Sequence, residues 1–469
     1  MSPAKSSTWV VFEMILDFLR DNFHRRADQE ALVWCDESYT YGWLLDRWDD
    51  WRATLRKDGV SPGTVVCLHA DFTPHAVALW LALVEAQCIL VPVTTATFRQ
   101  ELLNIAQVER GYHADARDAF TCSWYTNRAS HELYIQLRER GHPGLVLFSS
   151  GSTGKPKAAV HDVVPLLDKF RTPRSAYRTI PFLLFDHIGG INTMLYTLAN
   201  GGCLITVADR SPDGVLQAVE KHRVQLLPTS PTFLNLLLIS EAYKRHSLDS
   251  LELVTYGTEP MPESTLHRFH QLVPYVHLLQ TYGLSEVGIL QSKSKSSDSL
   301  WVKVGGRGFE TRVVDGVLHI KAQSAMLGYL NAPSPFTADG WFNTGDRVEV
   351  DGEYLRFLGR QSDIINVGGE KVFPTEVESV IQEMDNVAAV SVYGEKNNIT
   401  GQIVCARVTL IREEDAQAFT IRLKQFCQER LQRYKVPVKV ILTSESQHNE
   451  RFKTIRPHSQ PAVDSSSGR

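Results

Sequence analysis

The chain has 469 residues, enough for two to four folding units at roughly 100–200 residues each. Hydrophobic residues make up 43% and charged residues 22%, an ordinary globular composition that excludes disordered, collagen-like and disulfide-scaffold chains. Lys plus Arg is 49 against 53 for Asp plus Glu, a formal net charge of −4, which gives no electrostatic case for nucleic acid or an anionic membrane as main partner.

In chain order, Val10–Leu19 is apolar but carries Glu13 and Asp17, which a secretory core would avoid, so no signal peptide is expected. Met14–Arg20 followed by His24–Asp28 reads as an amphipathic helix and a turn. Leu44, Leu45, Trp48, Trp51 and Leu55 recur at helical spacing. Val65–Leu68 is a short apolar strand, Pro74 opens a helix, and Cys88–Val93 is the next strand. The longest apolar run, Ala76–Val84, is far short of the ~20 residues that span a bilayer, so no membrane insertion is expected.

The alternation resumes with a helix over His187–Asn200, a strand over Gly202–Val207, a helix over Pro212–His222, a strand over Val224–Leu227, a helix over Pro231–Leu238 and a strand over Leu251–Tyr256. Such spacing predicts βαβ units with parallel pairing. After Gly305 the texture changes to short strands with hairpin signals at Asp315-Gly316 and Asp351-Gly352, and no helix before about Thr375. Val387–Val392 and Ile403–Val408 read as strands, and Glu413–Arg433 as a helix with Phe419, Leu423, Phe426, Cys427 and Leu431 on one face. The tail from Pro457 is polar and expected to fray. The seven cysteines are scattered without a C-x-x-C pair, which points to reduced, mostly buried thiols in a cytoplasmic protein.

Five stretches carry chemistry. Ser149-Ser150-Gly151-Ser152-Thr153-Gly154-Lys155-Pro156-Lys157 follows an apolar strand and offers backbone N–H groups, hydroxyls and two lysines to a polyanionic phosphate. It lacks the common P-loop spacing, and a solvent-exposed turn uses the same residue types. Thr281-Tyr282-Gly283-Leu284-Ser285-Glu286 pairs an aromatic platform with a carboxylate suited to Mg²⁺, although Tyr282 also reads as a core aromatic. Asp346 in Trp341–Asp346 can accept both hydrogen bonds of a ribose diol or form an Asx turn. Gly359–Ile365 and the pair Gly368-Gly369 follow, where bare backbone can approach a thin ligand or simply turn. Arg451–Arg456 contains Lys453.

The first of these stretches resembles the phosphate-loop signature of the adenylate-forming enzymes: acyl- and aryl-CoA synthetases, adenylation domains of nonribosomal peptide synthetases, and firefly luciferase. The other motifs appear in family order, from about Tyr39 to Arg456. The resemblance implies an α/β fold. Residues 1–360 would form a large domain of mixed and parallel sheets with flanking helices and a small barrel-like β region, and residues 361–469 a small mobile α+β domain.

It implies that Ser150, Gly151, Ser152, Thr153, Gly154, Lys155 and Lys157 hold phosphate, that Tyr282 stacks on adenine, and that Glu286 bears on the metal, with Ser285 where many relatives have Thr. Asp346 and Arg360 would bind ribose. Ser362 is the hinge position, where many relatives have Asp or Lys. Gly368 and Gly369 would line the pantetheine tunnel. Lys453 matches the mobile lysine that bridges carboxylate and α-phosphate, with Phe452 in place of the usual glycine.

Within Pro181–Gly190, which falls at the acyl entrance, His187 would gate or contact the carboxylate, and Asp186 is placed to meet an amino group. Gly257, Thr258 and Glu259 resemble the loop that lines the acyl pocket and reaches adenine, and Gly283 would bind substrate with Gly257. The implied reaction is ATP- and Mg²⁺-dependent conversion of a small carboxylic acid to acyl-AMP, then transfer to a thiol. CoA is the first acceptor expected. A separate carrier protein in secondary metabolism is the second reading, and a nucleotide-binding relative that has lost catalysis is the third. The acid would be a flat aromatic, a modest acyl chain or an amino-substituted compound.

Overall fold

The computed structural model describes residues 15–150, 155–445, 447–449 and 452–456. Two seven-stranded sheets, a six-stranded antiparallel sheet and a five-stranded sheet carry the chain. In the first, His277–Gln280, Leu253–Tyr256, Leu226–Thr229, Arg178–Thr179, Cys203–Ile205 and Glu30–Trp34 run parallel, and Glu37–Thr40 closes the edge as a hairpin. In the second, Gly144–Ser150, Ile89–Val93, Val65–His69 and Arg110–Ala114 form a parallel centre with antiparallel flanks. Continuous apolar strands are what a sheet covered on both faces requires.

One core joins the two sheets. Leu32 of the first and Val66 and Leu68 of the second pack with the helices Pro74–Glu85 and Ile188–Ala199. The apolar run Ala76–Val84 is buried on every side, which is why it shows no polar stripe. Among the described residues no helix is long and apolar enough to cross a membrane.

Gln291–Ser294, Trp301–Gly305, Tyr354–Arg360, Phe342–Asp351, Val317–Ala322 and Phe309–Val314 form, in that spatial order, a curled half-barrel sheet over a core of Val302, Leu318, Ile320 and Leu355. Both hairpin signals hold. Asp315 and Gly316 sit at φ 50° and 75°, the backbone a two-residue turn of this twist needs.

The last sheet pairs Glu370–Val372, Ile365–Val367, Gly401–Leu410 and Val387–Asn397, with Lys439–Leu442 parallel to Gly401–Leu410. Helices Pro374–Gln382 and Ala416–Gln428 pack on it through Val377, Ile381, Phe419, Leu423 and Cys427. The unit docks on the helices Pro231–Ser240 and Glu263–Leu272, where Ser264 Oγ donates to the Ser379 carbonyl at 3.2 Å and Asn235 Nδ2 to that of Ala388 at 3.3 Å.

Several boundaries differ from expectation for local reasons. The helix expected over Glu413–Arg433 is only Ala416–Gln428, because the Asp415 carboxylate accepts from the Ala418 N–H at 2.8 Å and starts it there. The first helix runs Asp17–Arg25, past the expected Arg20, since Leu19 and Phe23 share one buried face. The strand expected over Val224–Leu227 spans Leu226–Thr229, in register with Leu253–Tyr256. All seven cysteines are free thiols, five of them buried, as expected.

Candidate functional site

Where the first sheet meets the half-barrel and the C-terminal unit lies a cavity of about 270 Å³. Tyr282 and Gly283 reach it from the turn after His277–Gln280, Asp346 from Phe342–Asp351, Arg360 from the end of Tyr354–Arg360, Thr258 and Glu259 from the loop after Leu253–Tyr256, and Lys453 from the last described segment. Seven of the sequence-predicted residues thus line one cavity.

The Tyr282 ring stacks on Phe357, centroids 4.4 Å apart and planes 18° from parallel. Its hydroxyl donates to Asp346 Oδ2 at 2.6 Å, and Arg360 Nε lies 3.6 Å from the other carboxylate oxygen. Burial raises the Asp346 carboxyl above the ordinary carboxylate range, against the Tyr282 hydrogen bond and the Arg360 charge, while the charges of Asp363 and Glu286 add to the rise. Desolvation likewise pushes the Tyr282 phenol well above its ordinary value, so it remains a donor.

Gly257 allows the Thr258 loop to sit here, since a Cβ on it would stand 2.6 Å from the Thr281 carbonyl oxygen. Thr258 follows at φ 72°, a conformation that favours glycine and is strained for a β-branched residue. Glu259 ties this loop to two other segments. Its Oε1 accepts from the Thr232 N–H at 2.9 Å and from the Thr232 hydroxyl, and its Oε2 from the Thr454 N–H at 3.0 Å.

Lys453 is held by its neighbours. Its N–H donates to Asn449 Oδ1 at 3.1 Å, and its carbonyl accepts from the Asn449 N–H at 3.1 Å. Three residues on, Arg456 makes a two-pronged pair with Glu378 at 3.0 and 2.6 Å and lies 3.7 Å from Asp363. Burial works against the Arg456 charge, but Glu378 and Asp363 outweigh it and raise its pKa.

Of the remaining predicted residues, those described lie off this cavity. Gly151, Ser152, Thr153 and Gly154, and the side chain of Ser150, fall outside the described residues. Lys155 follows them exposed, and Lys157 stands 5.4 Å from the Tyr329 ring centroid. The carboxylate of Glu286 accepts from the Tyr329 hydroxyl at 2.6 Å, and Ser285 precedes it in the same turn. His187 caps the helix Ile188–Ala199, its Nδ1 accepting from the Gly189 N–H at 3.0 Å, and buried Asp186 accepts from the Thr97 hydroxyl at 2.5 Å.

Gly368 and Gly369, at φ 61° and 95°, make an exposed hairpin turn where a Cβ added to either would meet no heavy atom within 4 Å. Ser362 is exposed in a single 3₁₀ turn, its hydroxyl donating to Asp363 at 2.9 Å. A larger cavity of about 620 Å³ opens at the carboxyl ends of strands from both seven-stranded sheets, beside Asp71, Thr95, Pro181 and Arg210, and none of the candidate site residues that the structure describes lines it.

Sequence reasoning singled out neither Phe357 nor Arg456. Phe357 falls three residues before Arg360 on the same strand, a spacing that could have flagged it. Nothing in the sequence links Arg456 to Glu378, 78 positions away.

The family model for AMP-binding enzyme matches residues 19–110 and 106–330, and that for the AMP-binding enzyme C-terminal domain matches residues 376–453. An indoleacetate–CoA ligase of Aromatoleum aromaticum is 27% identical over 333 residues, 65% of this chain and 64% of that protein, just under two thirds of its length. The 3-[(3aS,4S,7aS)-7a-methyl-1,5-dioxo-octahydro-1H-inden-4-yl]propanoyl:CoA ligase of Rhodococcus jostii is 24% identical over 90% of this chain and 93% of its own length. Among solved structures, the anthranilate CoA ligase AuaEII in complex with anthranoyl-AMP superposes with a TM-score of 0.78 at 18% identity, covering 94% of this chain and 95% of that one, a likeness of fold.

Proposed function

Because the chain belongs to the AMP-binding enzyme family, we propose that it activates a small carboxylic acid with ATP and passes the acyl group to a thiol, CoA first among the acceptors. The observation that carries this is the meeting of Lys453 with Tyr282, Asp346 and Arg360 around one cavity. Names of relatives that act on indoleacetate and on an indenyl propanoate support an acid of aromatic or ring-bearing type.

Asp346 is the acceptor for a ribose diol, with Arg360 beside it, and Tyr282 takes the base. The acid carboxylate attacks the α-phosphorus of ATP, its P–O bond to pyrophosphate breaks, and acyl-AMP remains. That step brings two anions together, so the work of the protein is positioning and charge compensation by Lys453 and by the lysines Lys155 and Lys157 of the phosphate loop with Ser150–Gly154.

Glu286 fits a Mg²⁺ site of the kind filled mostly by phosphate and water. It offers one carboxylate, and among the described residues no group of three or more His, Cys, Asp or Glu gathers to cage a metal. Bound there, Mg²⁺ would neutralise charge on the triphosphate. In the second step a thiolate attacks the acyl carbon, the C–O bond to AMP breaks, and AMP leaves.

Gly368 and Gly369 stand outside the cavity while Lys453 lines it, an arrangement that suits the first step. Rotation of residues 361–469 about Ser362 would bring the glycine pair in for the second. His187 and Asp186, which stand off the cavity, would meet the acid together with Gly257 and Gly283, and the protein acts in the cytoplasm.

The test is pyrophosphate release by the purified chain with Mg·ATP across a panel of aryl, short acyl and amino acids, repeated with CoA and with carrier proteins. Acid-dependent release followed by CoA thioester is expected. No release with any acid, together with no nucleotide uptake by calorimetry, would overturn the reading.

A further inference from the structure

Phe452 stands immediately before Lys453 at φ 50°, a left-handed backbone that glycine adopts freely and a bulky aromatic does not. Its ring is not left in solvent. It lies 5.3 Å from Phe182 and 5.4 Å from Phe233, both fully buried, and stacks on His448 at 5.4 Å and 24°. Its carbonyl accepts from the Ser230 hydroxyl at 2.7 Å, and that same hydroxyl accepts from the Phe233 N–H at 3.1 Å, capping the helix Pro231–Ser240. The strained backbone is therefore held by a seat built from two distant segments, the Phe182 stretch at the acid entrance and the start of that helix.

We propose that Phe452 is the positioning residue of Lys453: its ring, seated against Phe182 and Phe233, pins the last segment to the large domain so that the lysine is held at the nucleotide cavity. This rests on the adenylating role given to Lys453 above. A glycine at this place would fit the backbone without strain but remove the ring contacts, leaving the segment to its polar bonds with Ser230, Glu259, Ser391 and Glu378. The aromatic seat turns a general-purpose mobile loop into one with a fixed docking point for the first half-reaction. When the C-terminal unit moves away for thiol transfer the seat empties, so the ring bears on adenylation and not on thioester formation.

Three chains decide it: wild type, Phe452→Gly and Phe452→Leu. The readouts are acid-dependent pyrophosphate release, thioester formation from supplied acyl-AMP, and amide hydrogen exchange at Thr454 and Ile455, whose N–H groups bond to Glu259 and to the Gln447 carbonyl at 3.0 and 2.8 Å. Phe452→Gly should lower kcat for adenylation on the order of 10- to 100-fold with KM for the acid little changed, leave thioester formation intact and speed exchange at both amides. Phe452→Leu should recover most of each loss.

Adenylation by Phe452→Gly at the wild-type rate, equal loss of both half-reactions, or unaltered exchange would each overturn the proposal. If wild type itself released no pyrophosphate, the proposed activity would fall, while exchange at the two amides would still judge the seat by itself.

Discussion

The phenolic hydroxyl of Tyr282 donates to Oδ2 of Asp346 at 2.6 Å, tying the turn after one sheet to a strand of the half-barrel. That carboxylate is buried and its pKa is raised, chiefly by desolvation. Between the ordinary carboxylate value and the raised one, the folded chain keeps a proton that the unfolded chain has lost. Stability therefore falls as pH rises through that window and stays reduced at neutral pH. Asp346→Asn should make the nucleotide-free protein melt higher at pH 7, with the gain vanishing below about pH 4. It should also weaken Mg·ATP binding about 10- to 100-fold, because a charged acceptor is lost. Calorimetric titration and thermal melts check the two opposite signs, and unchanged affinity would remove Asp346 from the ribose site.

Arg456→Lys is expected to be a severe change despite its conservative appearance. The two-pronged contact with Glu378 requires the planar guanidinium, and Glu378 is only 7% exposed in its side chain. Lysine keeps the charge but cannot form the fork, so one charge-assisted hydrogen bond to a buried carboxylate is lost, worth about 1.5–3 kcal/mol. Denaturant unfolding followed through the C-terminal unit should show this loss, and a shift below about 1 kcal/mol would mean that the pair is screened by water.

Much of the architecture is legible in local chemistry. The bounds of Pro212–His222 can be read directly because Ser211 caps the helix and proline opens it. The Asp-Gly turns fix two hairpins. Strand order is not readable, since Glu30–Trp34 lies beside Cys203–Ile205, and periodicity reports which face of a strand is buried but not its neighbour. Motif resemblance brings Tyr282, Asp346, Arg360 and Lys453 together as a set. It cannot place Gly368 and Gly369, which stand in an exposed hairpin turn outside the cavity. Phe452 stands out in the sequence as a departure from glycine, yet its seat is invisible there because Phe182 and Phe233 are far from it along the chain.

His161 sits fully buried in the strand Pro156–Asp162, and burial holds its pKa down to about 4, with the Ser285 backbone offsetting only part of the effect. Below the ordinary histidine value the unfolded chain takes up a proton that the folded chain refuses, so stability falls with acid from about pH 6.5 to pH 4. The share of this one residue is about 2 kcal/mol between pH 7 and pH 5. His161→Leu should flatten the pH dependence of the unfolding free energy, read from urea titrations, by that amount. An unchanged slope would show that the imidazole is hydrated in the folded state.

Thr258 carries the last expectation. It holds φ 72° at the wall of the cavity that Tyr282 and Asp346 line, and its hydroxyl is buried with no hydrogen-bond partner among the described residues. A left-handed β-branched residue costs about 1–2 kcal/mol, and glycine returns about 0.4–1 kcal/mol of that through greater freedom of the unfolded chain. Thr258→Gly should therefore be stabilising by up to about 1 kcal/mol, with relief of the unsatisfied hydroxyl acting in the same direction. The same change removes three heavy atoms from the loop between Gly257 and Glu259, so bulkier acids should gain in kcat/KM relative to small ones. Thermal melts and the acid panel read the two effects separately. A lower melting temperature would mean that Thr258 is satisfied by water, and an unaltered acid profile would place the acid away from this loop.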